Sequence, residues 1–219
     1  MTKKIAIISG GVAEDEFIKK SITFDTYEKI ICCDSGMSIC RKLGLVPDVI
    51  LGDFDSASSD DKMFFEDRYG IAWFNYPPEK DGTDTELAIS YVLDNLPGSD
   101  IDIYAATGGR IDHLLGNIQL LHMGLLRGIE INILDSHNRI RLLNSGEYIY
   151  FKADQFGKYV SFIPFSGDVS GVTLTGFKYE ISDFTLTIGN SLGISNEIAS
   201  DVAKVTIQEG LLLMIESRD

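Results

Sequence analysis

The sequence predicts an α/β domain built on an open, mostly parallel sheet, followed by an all-β domain of sandwich type. Two observations carry this. From residue 4 to about 134, short apolar runs alternate with segments of helical periodicity, as in successive βα units. After about residue 138 the helical segments stop, and short β-type runs follow one another, separated by Gly, Ser, Asp and Asn. The boundary therefore falls between 136 and 137, giving domains 1–136 and 137–219, and the join "DSHNR" carries no Pro/Gly-rich linker.

In the first part, "KIAIIS" 4–9, "KIICCD" 29–34, "DVIL" 48–51, "IAWFNY" 71–76, "IDIYAA" 101–106 and "IEINIL" 129–134 read as strands. Several are nearly continuous in apolar residues, as strands covered on both faces should be. Helices are expected at "SGMSICRKLG", "SDDKMFFEDRYG", "TDTELAISYVLDNL" and "DHLLGNIQLLHMGLL", which makes the sheet Rossmann-like. In the second part, "RIRLLN", "EYIYFK", "YVSFIPF", "GVTLTGF", "FTLTIGN", "AKVTIQE" and "LLLMIES" read as the strands of the sandwich.

Composition narrows the function. A formal net charge of −14 and the lack of any basic run argue against a nucleic-acid partner, whose affinity rests on Lys and Arg. No apolar run approaches the roughly 18 residues of a membrane helix, and "MTKKIAIISGG" reads as a first strand rather than a signal peptide. Cys32, Cys33 and Cys40 are odd in number and lack a partner cluster for zinc, so reduced thiols in a cytoplasmic protein are expected.

Ligands of an open parallel sheet sit beyond the carboxyl ends of its strands. Immediately after five predicted strands come "SGG" 9–11, "DSG" 34–36, "GDFDS" 52–56, "PPEKDGTDTE" 77–86 and "TGGRIDH" 107–113. Asp34, Asp53, Asp55, Asp81, Asp84 and Asp112 thus share one edge although they span some eighty positions of sequence. Singly, each reads as a turn or cap residue. Together they repel, by roughly 4 kcal/mol for two carboxylates about 4 Å apart at an effective dielectric near 20. A divalent cation such as Mg²⁺ among them makes such a group tolerable, and beside a phosphate donor it suggests a nucleotide site.

Gly10-Gly11 and Gly108-Gly109 each follow a strand and offer backbone N–H groups for phosphates, while Lys80 and Arg110 are cations inside acidic loops. There is no GxGxxG and no GxxxxGK[ST]. His113 and Asn117, four residues apart, share a helix face.

Assembled, "CDSG" 33–36, "LGDFDS" 51–56, "KDGTDTE" 80–86, "TGGRIDH" 107–113 and "GISNE" 193–197 resemble the thiamine pyrophosphokinase (thiamine diphosphokinase) family over nearly the whole chain. The resemblance implies Mg²⁺-dependent transfer of the pyrophosphoryl group of ATP to the hydroxyl of thiamine, giving thiamine diphosphate and AMP. It also implies a homodimer with thiamine bound at the subunit interface. By motif match, Asp53, Asp55 and Asp84 are the metal- and phosphate-handling carboxylates, with Asp81 in the catalytic set. Gly10, Gly11, Asp34, Lys80, Gly108, Gly109, Arg110, Asp112 and His113 line the ATP side, and Ser195 and Asn196 match the stretch that meets thiamine. Animal members of the family carry a stacking Trp near the C-terminus. Here the single Trp is Trp73, and Leu211, Leu212 or Leu213 stand as the apolar wall, with Leu212 the choice.

Three alternatives are set beside this: a pyrophosphokinase acting on another alcohol such as a pterin, a metal-dependent phosphatase, and a nucleotide or thiamine sensor without turnover. The acidic group argues against the sensor, and "GISNE" against the pterin enzyme.

Overall fold

The computed structural model describes residues 3–23, 25–55, 57–77 and 82–219, and the chain divides into two compact units, Met1–Ser136 and His137–Asp219.

The first unit contains β1 (Lys3–Ile8), α1 (Asp15–Ser21), β2 (Lys29–Cys33), α2 (Met37–Leu43), β3 (Val49–Gly52), α3 (Ser59–Glu66), β4 (Ala72–Asn75), α4 (Asp84–Asn95), β5 (Ser99–Tyr104), α5 (Ile111–Leu125) and β6 (Ile131–Leu134). Its strands lie in the order β4-β3-β2-β1-β5-β6, and every pairing is parallel. Ile5, Ala6, Ile7 and Ile8 of β1 are all buried, because a central parallel strand is covered on both faces. α4 buries Ala88, Ile89, Val92 and Leu93, one apolar stripe along the helix, and packs against β1, β2, β3, β5 and α5.

The chain runs outward from β1 through β2, β3 and β4, then returns to add β5 and β6 on the other side of β1. The β1/β5 boundary is thus where the strand order reverses, and it opens a crevice beyond the strand ends. α1 was not expected from the sequence. It is only seven residues long and buries Ile18, but its signal was present: Asp15 and Glu16 open it and Lys19 and Lys20 close it, matching the helix dipole.

The second unit contains β7 (Asn138–Leu143), β8 (Gly146–Phe151), β9 (Tyr159–Pro164), β10 (Val169–Thr175), β11 (Ile181–Leu186), β12 (Val202–Ile207) and β13 (Leu212–Ser217). β7-β13-β9 and β11-β10-β12-β8 are antiparallel sets. Leu143, Val160, Phe162, Leu212 and Met214 of one set meet Val172, Leu174, Ala203 and Val205 of the other in one core, so the expected α/β plus β-sandwich class holds. The strand expected over 184–190 instead runs from Ile181 to Leu186. Its register is irregular beside Asp183, at φ +49°, and the chain turns away at Gly189, at φ +88°.

Candidate active site

A cleft of about 610 Å³ opens at the β1/β5 crevice. Ser9, Gly10, Gly11 and Val12 after β1, Gly108 and Gly109 after β5, and Arg110, His113 and Asn117 at the start of α5 line it, together with Asp53, Asp55, Thr83 and Asp84.

Close backbone approach builds its floor. The Gly11 N–H donates to the Ala105 carbonyl at 2.7 Å, and a Cβ on Gly11 would stand 2.6 Å from that oxygen. The loop after β5 then passes through three left-handed residues, Ala105 (φ +54°), Gly108 (+85°) and Gly109 (+74°), before α5 begins. Asn117, buried in α5, donates its side-chain N–H to the Ala106 carbonyl at 2.9 Å and so ties the helix to this loop. Ser9 and Thr85 share a buried hydrogen bond of 2.7 Å, which fastens the first turn of α4 to the end of β1. Thr83 caps that turn by accepting from the Glu86 N–H at 3.2 Å.

The acidic group stands at the ends of β2 and β3. Ligand oxygens of Asp34, Asp53 and Asp55 all lie within 4.8 Å of one another. Asp34 opens a short 3-10 turn and is fully buried. β3 reaches it because its last residue is Gly52: at φ +152°, with a Cβ position only 2.6 Å from the Asp34 Cβ, no other residue fits. Asp53 and Asp55 flank Phe54, which adopts φ +60°, a conformation costing a non-glycine residue roughly 1–2 kcal/mol. The Asp55 carboxyl is raised above its ordinary value, first by a hydrogen bond with Asp53 and then by the charges of Asp53, Asp34 and Asp84. Three hard oxygen donors at this spacing suit a small divalent cation such as Mg²⁺.

Arg110 donates from Nε to Asp112 at 3.1 Å and makes a second bond through Nη2. The Asp112 carboxyl is lowered to about 2, chiefly by these bonds. Both side chains are exposed, so the pair is screened by solvent and can exchange for a phosphate. Asp112 and His113 also line a smaller hollow of about 270 Å³ with Thr83, Glu86 and Asn117.

The first unit thus gathers Asp34, Asp53, Asp55, Asp84, Gly10, Gly11, Gly108, Gly109, Arg110 and His113 around one cleft. Lys80 and Asp81 lie outside the described residues. Ser9 and Thr85 were not singled out from the sequence as site residues, whereas Asn117 was placed on the same helix face as His113. The Thr83-x-x-Glu86 capping pattern was the readable sign of a helix start there.

In the second unit, Ser195 is exposed and left-handed, at φ +56°, with its N–H donating to Ser161 Oγ at 3.0 Å. The Asn196 carboxamide is buried and committed to backbone: its oxygen accepts from Tyr179 and Glu197 at 3.0 and 2.9 Å, and its N–H donates to the Tyr179 carbonyl at 2.8 Å. It shapes the turn that presents Ser195. Leu212 corrects the sequence reading. Its side chain is wholly buried in the core of this unit and has no face left for a ligand, because it lies on the side of β13 that joins the core shared with the other set.

Comparison with known proteins identifies the family. Residues 22–133 match the family model described as thiamin pyrophosphokinase, catalytic domain. Residues 147–212 match that of the thiamin pyrophosphokinase vitamin B1 binding domain. The thiamine pyrophosphokinase of Bacillus subtilis is 40% identical over 195 residues, covering 89% of this chain and 90% of the relative. A thiamine pyrophosphokinase of rice is 27% identical over 180 residues, covering 79% and 67%. Among solved structures, the B. subtilis enzyme superposes with a TM-score of 0.88 at 36% identity, covering 99% of this chain and all of the other. The Geobacillus thermodenitrificans enzyme gives 0.85 at 32%, covering 98% and 97%. With both units matched in order and an acidic group at the cleft, the chain belongs to the thiamin pyrophosphokinase family.

Proposed function

We propose that this protein transfers the pyrophosphoryl group of ATP to the hydroxyl of thiamine, forming thiamine diphosphate and AMP. The observation that carries the reading is the convergence of buried Asp34 with Asp53 and Asp55, which line a cleft together with Gly11 and the 105–110 loop.

ATP lies along this floor, its phosphates taking N–H groups of Gly10, Gly11, Gly108 and Gly109 and the guanidinium of Arg110 once it leaves Asp112. Asp34, Asp53 and Asp55, with Asp84 beside them, hold Mg²⁺, which when bound neutralises charge on the phosphate oxygens. Pyrophosphoryl transfer asks of the protein mainly alignment of the attacking hydroxyl with the β-phosphorus and neutralisation of charge, and the tethers at Ser9–Thr85 and Asn117–Ala106 keep the two walls at fixed separation. A carboxylate of the group, Asp84 or Asp55, takes the hydroxyl proton.

The thiazolium ring is cationic, and the chain's net charge of −14 favours its approach. On the thiamine side the reading keeps Ser195, with Asn196 holding its turn. A homodimer that completes the site with its second copy, and a cytoplasmic location, belong to the same reading. The location is supported by three buried cysteines, all free thiols.

AMP release from ATP and Mg²⁺, with and without thiamine, followed by mass analysis of the acceptor, tests this. Thiamine-dependent AMP with two phosphates gained in one step is expected. Inorganic phosphate released without an acceptor, or AMP dependent on a pterin alcohol, overturns it.

A further inference from the structure

Phe54 separates half-buried Asp53 from exposed Asp55, and its backbone is left-handed at φ +60°, where an aromatic residue is a genuine outlier. Something outside the turn must hold it there. Its ring packs 5.4 Å from that of Trp73 at an interplanar angle of 55°. From α3, Lys62 Nζ lies 5.5 Å from the ring centroid and donates to the Phe54 carbonyl oxygen. Inside the turn, the Asp55 N–H donates to Asp53 Oδ1 at 3.2 Å.

Trp73 lies half-buried on β4, paired in register with Ile50 of β3. β4 is the edge strand of the sheet, and Ala72, Phe74 and Asn75 on either side of it are exposed. A large ring on such a strand is accounted for by what it supports.

We propose that Trp73 and Lys62, acting through Phe54, are positioning residues for the Asp53/Asp55 pair. The ring contact on one element and the ammonium clamp from another hold the strained turn, so that two mutually repelling carboxylates stay aimed at one ion with Asp34. Without the prop, the turn relaxes to right-handed backbone and the carboxylates part. The inference rests on the reading of Asp34, Asp53 and Asp55 as the cation-holding group.

Mn²⁺ titrated into the nucleotide-free protein, followed by calorimetry, tests it. Trp73 is the only tryptophan, so in the parent its emission falls in step with binding. Trp73→Leu raises the Mn²⁺ dissociation constant about tenfold, and Trp73→Phe, which restores a ring, returns it to within about twofold of the parent. Phe54→Gly separates positioning from mere stability. It removes the left-handed strain, so the melting temperature does not fall, yet Mn²⁺ binding weakens as in Trp73→Leu, and the half-saturating Mg²⁺ for turnover rises while KM for thiamine at saturating Mg²⁺ holds. Parent-like Mn²⁺ affinity in both Trp73→Leu and Phe54→Gly overturns the positioning role alone. A parent that binds no Mn²⁺ overturns the cation site itself.

Discussion

In the first unit Asp34, fully buried, has two further carboxylates within 4.8 Å, whereas in the second unit Glu216, equally buried, lies between two arginines. Arg139 meets Glu216 through Nε and Nη2 at 2.6 and 2.7 Å, Arg141 donates at 2.7 Å, and the Phe156 N–H adds a fourth bond at 3.1 Å. Burial alone raises the Glu216 carboxyl, but the hydrogen bond from Arg139 and the charges of both arginines outweigh it and leave it lowered. Asp55 is shifted the other way, upward, by its own kind. A closed ionic group holds its unit together, whereas a like-charged one works against folding and is kept for what it binds.

The largest effect is expected on activity. Asp53→Asn and Asp84→Asn are expected to lose about a thousandfold or more in thiamine-dependent AMP release while retaining the parent circular dichroism spectrum. Activity within a few-fold of the parent in both would remove the metal site from the account. Gly52→Ala belongs with them, since its added methyl has only the space of the Asp34 side chain to enter.

At the second unit the same kind of substitution acts on stability instead. Glu216→Gln leaves Arg139 and Arg141 without their carboxylate, and breaking a buried pair in this way costs about 3–5 kcal/mol, read from denaturant unfolding. A loss under about 1 kcal/mol would show the cluster to be surface-like.

pH sharpens the contrast. Because the folded Glu216 pKa lies below its unfolded value of 4.5, its contribution is complete above that value and is lost as pH falls through the lower folded one. Glu216→Gln should therefore flatten the acid limb of the stability curve below about pH 4.5. Asp55 has the opposite sign: the folded state holds its proton more tightly, so metal-free stability falls as pH rises through the window between its unfolded and raised folded values. Asp55→Asn should abolish that dependence, and a metal-free curve unchanged by the substitution would count against the raised Asp55 carboxyl.

The smallest effect is expected on the thiamine side. Ser195→Ala should raise KM for thiamine by about five- to tenfold, the worth of one hydrogen bond, with KM for ATP unchanged. An effect confined to ATP would place the turn elsewhere.

Much of this was legible without coordinates. The six parallel strands follow from continuous apolar runs such as "KIAIIS", because period and burial are local properties of the chain. The edge on which Asp34, Asp53, Asp55 and Asp84 fall follows from strand order, since every parallel strand delivers its carboxyl end to the same side. What tertiary structure decided was distance and direction. That Asp34 and the 53–55 turn come within ligand range depends on Gly52 letting β3 lie against β2's end. That Asn117 and Thr85 are tethers depends on which loop each helix meets. Leu212 shows the limit: "LLLMIES" reads as apolar on either face, and only the packing of the second antiparallel set over one face of β13 puts that residue in the core. Trp73 is the same case reversed, a residue whose purpose is set by a ring from a different strand end, and no spacing along one chain encodes a contact between two.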